Sequence, residues 1–256
     1  SNITHVDGSI DPIRDVETIN LELIFADLEA VEKRMDKALK LARADKKNQI
    51  AVDALNKIKV ALEANKLAST VELSDEEKEM LSDLYLLTAK PMMYVANISD
   101  EQLKNLDTDK HYNALKEYAA SHNSEVIPLC VKVEEELAVL EDNEKQEMLD
   151  LLGIDESGLD KLIKASYKLL GLMSFLTAGE PEVRAWTIKI GTKAPQAAGK
   201  IHTDIERGFI KAEVINYKEL VECGSLAKAR EKGLIRIEGK DYVMQDGDVV
   251  LFRFNV

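Results

Sequence analysis

The chain has 256 residues, 45% of them apolar and 32% charged, with a mean hydropathy of -0.21. That is enough for one large domain or two to three ordinary ones, each with a core. Its apolar runs are too short to span a bilayer and no signal peptide is visible. The net charge of -13 excludes a broadly basic nucleic-acid binder. From Met173 to Val256, however, 13 Lys and Arg face 12 Asp and Glu, whereas the rest of the chain holds 21 and 35. Only the tail could approach a polyanion without a large electrostatic penalty. Two cysteines far apart, Cys130 and Cys223, fit a reducing, cytoplasmic setting and give no disulfide framework. The four histidines, His5, His111, His122 and His202, form no ligand pair, so no metal site is expected.

Taken in order, residues 5–15 (HVDGSIDPIRD) read as loop, preceded at most by a strand stub at Ile3–Val6. From Asp15 to Lys66 the chain reads as helix. Leu21, Ile24, Leu28, Val31, Met35, Ala38 and Ala42 recur at spacings of 3 and 4, and Ala51, Leu55, Ile58 and Leu62 resume the pattern after Asp45-Lys46-Lys47-Asn48. An antiparallel helical hairpin, a two-stranded coiled coil turned at that polar stretch, is the economical reading. Such a seam is core, so function is expected at its tip, with Lys46 and Lys47 facing an acidic partner. Ser74 and Glu77 form a capping box for a helix expected to carry Met80, Leu81, Leu84, Leu86 and Leu87 toward Pro91.

Pro91 to Glu101 (PMMYVANISDE) is the stretch on which the functional reading rests. Met92 to Ala96 form a short apolar run that reads as a buried parallel strand. It ends in Asn97-Ile98-Ser99-Asp100, where open α/β sheets bind ligands. There an amide and a carboxylate can read the polar edge of a base. The same N-x-x-D also fits an Asx turn closing a strand, followed by a polar loop. A helix is expected at His111–Ala120. A second buried strand, Glu125–Cys130, again precedes a helix, as in half of a nucleotide-binding α/β domain. Cys130 reads as a packed small residue rather than a nucleophile, because no base accompanies it. Helices are expected at Glu134–Leu152, stopped by Gly153, and at Ser157–Leu172.

From Phe175 onward alternation replaces helical periodicity. Strands are expected around Val183–Lys189, Phe209–Ile215, Leu234–Ile237, Tyr242–Met244 and Val249–Phe254, with a hairpin-type turn at Asp246-Gly247. Short helices at Pro195–Ile201 and Ser225–Lys232 complete a small α+β unit. Trp186 reads as core and His202 as a hydrogen-bonded loop residue.

The stretches VRAWTIKIGTKAPQAAGKIHTDIERGFIKAEVINY and EGKDYVMQDGDVVLFRFNV closely resemble the carboxyl-terminal TGS domain of the YchF / Obg-like ATPases, and DPIRDVETINLELIFADLEAVEKR resembles the start of their coiled-coil insertion. The resemblance runs from Thr4 to Val256. It implies an α/β plus α+β architecture. Residues 1–14 would be a remnant of a P-loop NTPase-type nucleotide domain and 15–88 an inserted antiparallel coiled coil. Residues 89–172 would be the carboxyl-terminal half of the nucleotide domain and 173–256 a β-grasp TGS domain. It also implies a cytoplasmic, ribosome-associated ATPase acting as a nucleotide-dependent switch.

The family's N-x-x-E base-reading motif, which favours ATP over GTP, falls on Asn97, Ile98, Ser99 and Asp100, with Ile98 lying along the base and Asp100 shorter than the family's Glu. Cys130 and Val131 fall on its other base-contacting loop. Lys193, Lys200, Arg207 and Lys211 are the residues through which the tail would meet ribosomal or other RNA; on their own they also fit a solvated loop. One departure is large: no G-x-x-x-x-G-K-[ST] occurs. ATP and Mg²⁺ are therefore expected to be held only together with an amino-terminal part outside these residues, and this chain alone is expected not to hydrolyse nucleotide. The rival reading is a non-enzymatic RNA- or protein-interaction module.

Overall fold

The computed structural model describes residues 9–179 and 182–255, so the expected strand stub at Ile3–Val6 lies outside them. The chain divides into two compact units, Ser1–Lys161 and Leu162–Val256.

The first unit opens with a long helix, α1 (Pro12–Ala44). Asp11 caps it by accepting from the amides of Ile13 and Arg14, each at 3.2 Å, and Pro12 sits where its missing N–H is no loss. A short 3-10 turn at Lys46–Asn48 leads into α2 (Gln49–Glu63), which folds back on α1. Ile24, Val31 and Ala38 of α1 share one apolar cluster with Ala54, Leu55, Ile58 and Leu62 of α2. Lys59 of α2 reaches Glu32 of α1 at 3.0 Å.

The buried stripe of α1 runs through Asn20, Ile24, Asp27, Val31 and Ala38, so an acid lies inside it. Asp27 accepts from the amides of Leu87 and Thr88 at 2.8 and 2.7 Å and from the Thr88 hydroxyl at 2.6 Å. The Thr88 hydroxyl oxygen in turn accepts from the Ala68 amide at 3.0 Å. Three donors converge on this carboxylate, which makes its burial tolerable.

This knot shapes the segment ahead of the strand. α3 (Asp75–Met80) begins with the expected Ser74–Glu77 capping box but stops at Met80. Two amides beyond it, those of Leu87 and Thr88, serve Asp27 rather than a helix, and Pro91 disfavours helical backbone at Lys90. Leu81 and Leu86 still join the core of the helical hairpin.

Next come β1 (Tyr94–Asn97), α4 (Asp100–Lys104), α5 (Lys110–Ser121), β2 (Val126–Leu129), α6 (Val131–Ala138) and α7 (Asp142–Leu152). β1 and β2 pair in parallel, in register from Tyr94 with Val126 to Asn97 with Leu129. The single helix expected over Glu134–Leu152 is two, because Glu141 and Glu144 form a capping box that starts α7 afresh. α8 (Gly158–Leu169) carries the chain into the second unit. It stops short of the expected Leu172: Gly171 adopts a left-handed φ of 61°, and Leu172 already belongs to a strand.

The second unit is a five-stranded sheet with β3 (Leu172–Ala178), β4 (Val183–Lys189), β5 (Phe209–Asn216), β6 (Arg236–Glu238) and β7 (Asp248–Phe254) in the order β4-β3-β7-β5-β6. β3 and β7 are parallel and the other pairs antiparallel. One face of the sheet packs on α9 (Ala194–Gly199) and α10 (Thr203–Arg207), with Phe175, Ile188, Phe209, Val214 and Phe252 around Ala194, Ala197 and Ala198. α11 (Tyr217–Cys223) and α12 (Leu226–Glu231) supply Cys223 and Ala229 to a second cluster with Ile215 and Val249.

Tyr242–Met244 is not a strand; only an isolated bridge joins Val243 to Lys193. The chain is held there by side chains instead. The Tyr242 hydroxyl and the Gln245 amide both donate to buried Asp248, at 2.9 Å each, and burial followed by that carboxylate pushes the Tyr242 phenol up to about 12. Asp246-Gly247 forms a turn into β7 with Gly247 at φ 77°, where a Cβ would meet the Tyr217 ring at 2.5 Å.

Two outcomes follow for stability. Asp27→Ala leaves the Leu87 and Thr88 amides buried without an acceptor and should destabilise the first unit by about 3 kcal/mol in urea unfolding, with Asp27→Asn costing less. Glu213 accepts from Arg253 at 2.8 Å and Arg230 at 3.2 Å, which holds its carboxyl below the ordinary 4.5. A lowered folded pKa adds stability that is present above 4.5 and lost as pH falls through the lowered value. Glu213→Gln should therefore be less stable than the parent near neutrality, with the gap closing in acid; pH-dependent thermal unfolding reads it.

Candidate functional site

The carboxyl ends of β1 and β2 lie side by side because the two strands are parallel and in register. The pairing continues one residue further, as the Ile98 amide donates to the Leu129 carbonyl at 3.0 Å. Ile98 is only 8% exposed, in an apolar cluster with Cys130, Val133, Leu137 and Leu149. Its side chain therefore does not lie along an exposed rim as the resemblance implied, and only its main chain can face a ligand there.

Burying Ile98 sends its neighbours outward. Asn97 is exposed, and its carboxamide makes no hydrogen bond among the described residues. Ser99 turns the chain into α4 rather than into the expected polar loop. Its hydroxyl accepts from the Gln102 amide at 3.2 Å, and the Gln102 side chain accepts from the Ser99 amide at 3.0 Å. The Gln102 amide nitrogen also reaches Asp109 at 2.9 Å, which ties α4 to the cap of α5.

Asp100 is thereby fixed in the first turn of α4. One carboxylate oxygen, Oδ1, accepts from the Glu101 amide at 3.1 Å, and the other, Oδ2, accepts from the Lys132 ammonium at 3.2 Å. The Lys132 partner holds the Asp100 carboxyl below its ordinary 3.8 and raises the ammonium in return.

On the facing loop, Cys130 is the N-cap residue of α6 and is 3% exposed, so it contributes packing and backbone. Val131 opens α6 and is 55% exposed. The structure thus brings Asn97, Asp100, Val131 and Lys132 to one rim and turns Ile98 and Cys130 inward beneath it. The capping pair Ser99–Gln102 could have been found from its S-x-x-Q spacing. Lys132 could not, because its contact with Asp100 spans 32 positions and exists only through the strand register.

A cleft of about 400 Å³ lies elsewhere in this unit, between α1, the segment after α2 and α5, lined by Asn20, Ile24, Leu67, Thr70, Tyr118 and His122. It contains none of the expected base-reading residues.

The four basic residues of the tail do not form one patch. Lys193 is held by Asp241 at 2.7 Å. Lys200 follows α9 and Arg207 ends α10, two helices on the same face of the sheet. Lys211 alternates with Ala212 and Val214 to the opposite face, a bulge in β5 separating it from Phe209. His202 is the N-cap of α10, its Nδ1 accepting from the Asp204 amide at 3.2 Å. Trp186 is half-buried, donating to the Thr177 hydroxyl at 2.9 Å, with the Arg184 guanidinium 4.2 Å above its ring.

The family YchF-GTPase_C, described as a protein of unknown function (DUF933), matches residues 172–255. Over all 256 residues the chain is 54% identical to 70% of the ribosome-binding ATPase YchF of Bacillus subtilis (strain 168). The chain belongs to the YchF / Obg-like ATPase family. It is also 40% identical to the Obg-like ATPase 1 of Caenorhabditis elegans, covering 99% of this chain and 65% of that one. The YchF GTPase structure from Schizosaccharomyces pombe superposes with a TM-score of 0.85 at 35% identity, over 98% of this chain and 68% of that one. The mixed α/β architecture is therefore that of YchF proteins. Among the described residues no helix is long and apolar enough to cross a membrane.

The Asp100–Lys132 contact has a direct readout. Carboxyl-detected NMR titration should place Asp100 below 3.8, and Lys132→Met should bring it back up toward that value. An unchanged Asp100 titration in the variant would mean that the pair does not form in solution.

Proposed function

We propose that this chain carries the base-selecting and ribosome-docking parts of an ATPase that acts as a nucleotide-dependent switch. The observation that supports it is the rim at the ends of β1 and β2, where an exposed carboxamide at Asn97 and a carboxylate at Asp100 stand beside the loop at Val131. Parallel strand ends of this kind are where α/β sheets take nucleotides. Asn97 braces the facing loop and the purine edge, the main chain at Ile98 lies along the ring, and Asp100 accepts from an exocyclic amino group.

The phosphate chemistry is assigned to residues outside these 256. They contain no G-x-x-x-x-G-K-[ST], and so no glycine-rich loop with its lysine to cradle phosphates. Bound Mg²⁺ would neutralise charge on the phosphates. The residues present do not fit such an ion, because the Ser/Thr hydroxyl that would hold it belongs to the missing G-x-x-x-x-G-K-[ST] stretch. The chain alone is therefore expected not to turn nucleotide over.

We read the α1–α2 hairpin as a coiled-coil arm whose tip, Lys46 and Lys47, meets an acidic partner, since both side chains are exposed there. The second unit is read as a β-grasp TGS domain, supported by its mixed sheet with β3 and β7 parallel and α9 packed across one face. Ribosome docking is carried over from the Bacillus subtilis relative, a ribosome-binding ATPase. Lys200 and Arg207 remain the best-placed phosphate contacts, because they end neighbouring helices on one face. The rival reading, an interaction module without nucleotide, draws on the same absence of a phosphate loop in these residues.

One experiment separates the readings. The chain is joined to a phosphate-binding amino-terminal part and titrated with ATP and GTP by calorimetry, beside the 256 residues alone. ATP binding and turnover are expected in the joined protein and no turnover in the chain alone. Asn97→Ala should weaken ATP about ten-fold by removing one buried hydrogen-bonding group at the base. Absence of any nucleotide binding in the joined protein, or no effect of Asn97→Ala, would favour the interaction module.

A further inference from the structure

Asn20 occupies a place in the inner stripe of α1 where an aliphatic residue would pack, one turn before Ile24. It is 9% exposed, and its Nδ2 donates to the Tyr118 hydroxyl at 3.3 Å. Its Oδ1 accepts no hydrogen bond among the described residues. An idle acceptor on a buried side chain costs stability unless something else serves it. That oxygen is not sealed off, because Asn20 lines the cleft of about 400 Å³ between α1, the segment after α2 and α5. We infer that this cleft is a ligand site separate from the strand-end rim, and that it takes an uncharged planar ring of nucleobase size whose edge carries an N–H beside an acceptor.

The edge chemistry follows from two groups. The Tyr118 hydroxyl hydrogen, like Asn20 Oδ1, has no partner among the described residues. An acceptor and a donor therefore stand side by side in the cleft. Half a turn of the carboxamide exchanges the two roles and leaves the same pair. A ligand edge with one donor next to one acceptor satisfies both groups, as an Asn carboxamide does when it reads adenine. A hydrocarbon ring would leave both unserved.

The walls suit a flat ring. The Tyr118 and His122 rings are stacked, 4.3 Å apart at 24°. His122 Nδ1 lies 2.9 Å from the Tyr118 carbonyl, which can only accept, so that nitrogen carries the hydrogen and the ring is held in place. Tyr94 braces Tyr118 edge-on at 6.2 Å and 71°. Asn65, at a left-handed φ of 57°, reverses the chain after α2, and the Lys66 amide returns to the Ala61 carbonyl at 2.9 Å, which brings Leu67 to the cleft beside Ile24. Aromatic and aliphatic surfaces of this kind hold bases by stacking, and the volume is that of small-ligand sites. Glu17 and Lys66, of opposite sign, also line the cleft, and the residues outside the tail hold 35 acidic against 21 basic side chains. That balance disfavours a phosphate, so a free nucleoside fits better than a nucleotide or a strand.

The test uses the isotope-labelled 256-residue chain and uridine, a pyrimidine nucleoside that the purine-reading rim does not call for. Binding is followed at the His122 ring and the Asn20 carboxamide, where saturable shifts are expected. N3-methyluridine, which lacks the edge N–H, should bind about five- to ten-fold more weakly. UMP should also bind more weakly than uridine. Asn20→Leu completes the apolar stripe and should weaken uridine about ten-fold; Tyr118→Phe keeps the ring without the hydroxyl and should weaken it about five-fold. Asn97→Ala should leave uridine binding unchanged, which separates the cleft from the rim.

No saturable shift at His122 or Asn20 would overturn the site. Equal binding of N3-methyluridine, or equal binding of uridine by Asn20→Leu, would overturn the reading of the edge. Tighter binding of UMP than of uridine would overturn the preference for a neutral ligand. The dispersion of the spectrum checks folding, and if Asn20→Leu does not fold, Tyr118→Phe carries the same test of the edge.

Discussion

The rim at the strand ends depends on one apolar residue turned inward. Ile98 follows β1, donates its amide to Leu129 and buries its side chain with Cys130, Val133 and Leu137. Burial of an isoleucine side chain contributes about 1.5–3 kcal/mol, more than any exposed pair at the rim can. Because side chains alternate along an extended chain, placing Ile98 inside leaves Asn97 and Ser99 outside. Because Cys130 is packed beneath the facing loop, Val131 and Lys132 emerge beside them. The polar groups are thus displayed by hydrophobic packing below them, and their positions do not rely on their own weak contacts.

A second constraint lies away from the rim, in the carboxylate of Asp27. It gathers the Leu87 and Thr88 amides and the Thr88 hydroxyl, and through Thr88 the Ala68 amide, onto the inner face of α1. The segment leading to Pro91 is therefore fixed against the helical hairpin before the strand begins. An aliphatic residue at this point could not bind two adjacent amides, so the buried charge gives directionality that packing alone would lack. It also accounts for the short α3, whose continuation would have used those same amides.

The long seam of α1 and α2, the capping box at Ser74, the two parallel strands and most of the tail strands were legible because each writes its period into the sequence. What escaped notice was set by partners distant in sequence. Asp27 stands between Ala26 and Leu28 and carries no mark in the sequence of its partner Thr88, 61 positions on. The strand at Leu172–Ala178 looked like the end of a helix, since Leu169, Leu170, Leu172 and Met173 fit either period. Tyr242–Met244 has the composition of a strand, but Asp248 takes the Tyr242 hydroxyl and the next amide, and pairing stops at the one bridge with Lys193. At the site, the sequence identified Asn97, Asp100 and Val131 as rim residues. It misjudged Ile98, because an apolar residue between two polar ones carries no mark of which way it points. The contact of Lys132 with Asp100 exists only through the register of two strands.

The charge of the tail bears on how it could meet an RNA. Part of its charge is paired internally: Lys193 pairs with Asp241, Arg230 and Arg253 with Glu213, and Arg236 lies 3.6 Å from Asp248. Lys211 stands on the opposite face of the sheet from α9 and α10. Of the four expected phosphate contacts, Lys200 and Arg207 end helices on one face, and Arg207 has Asp204 within 4.0 Å. Two phosphate contacts would give a salt slope of only about −1.5 to −2, far from that of a protein held by counterion release. RNA docking through this face, were it to occur, would therefore have to draw on shape and on uncharged contacts, with the two cations setting orientation more than affinity. That is also the arrangement open to an acidic chain, whose net charge of -13 would oppose a purely electrostatic hold on a polyanion.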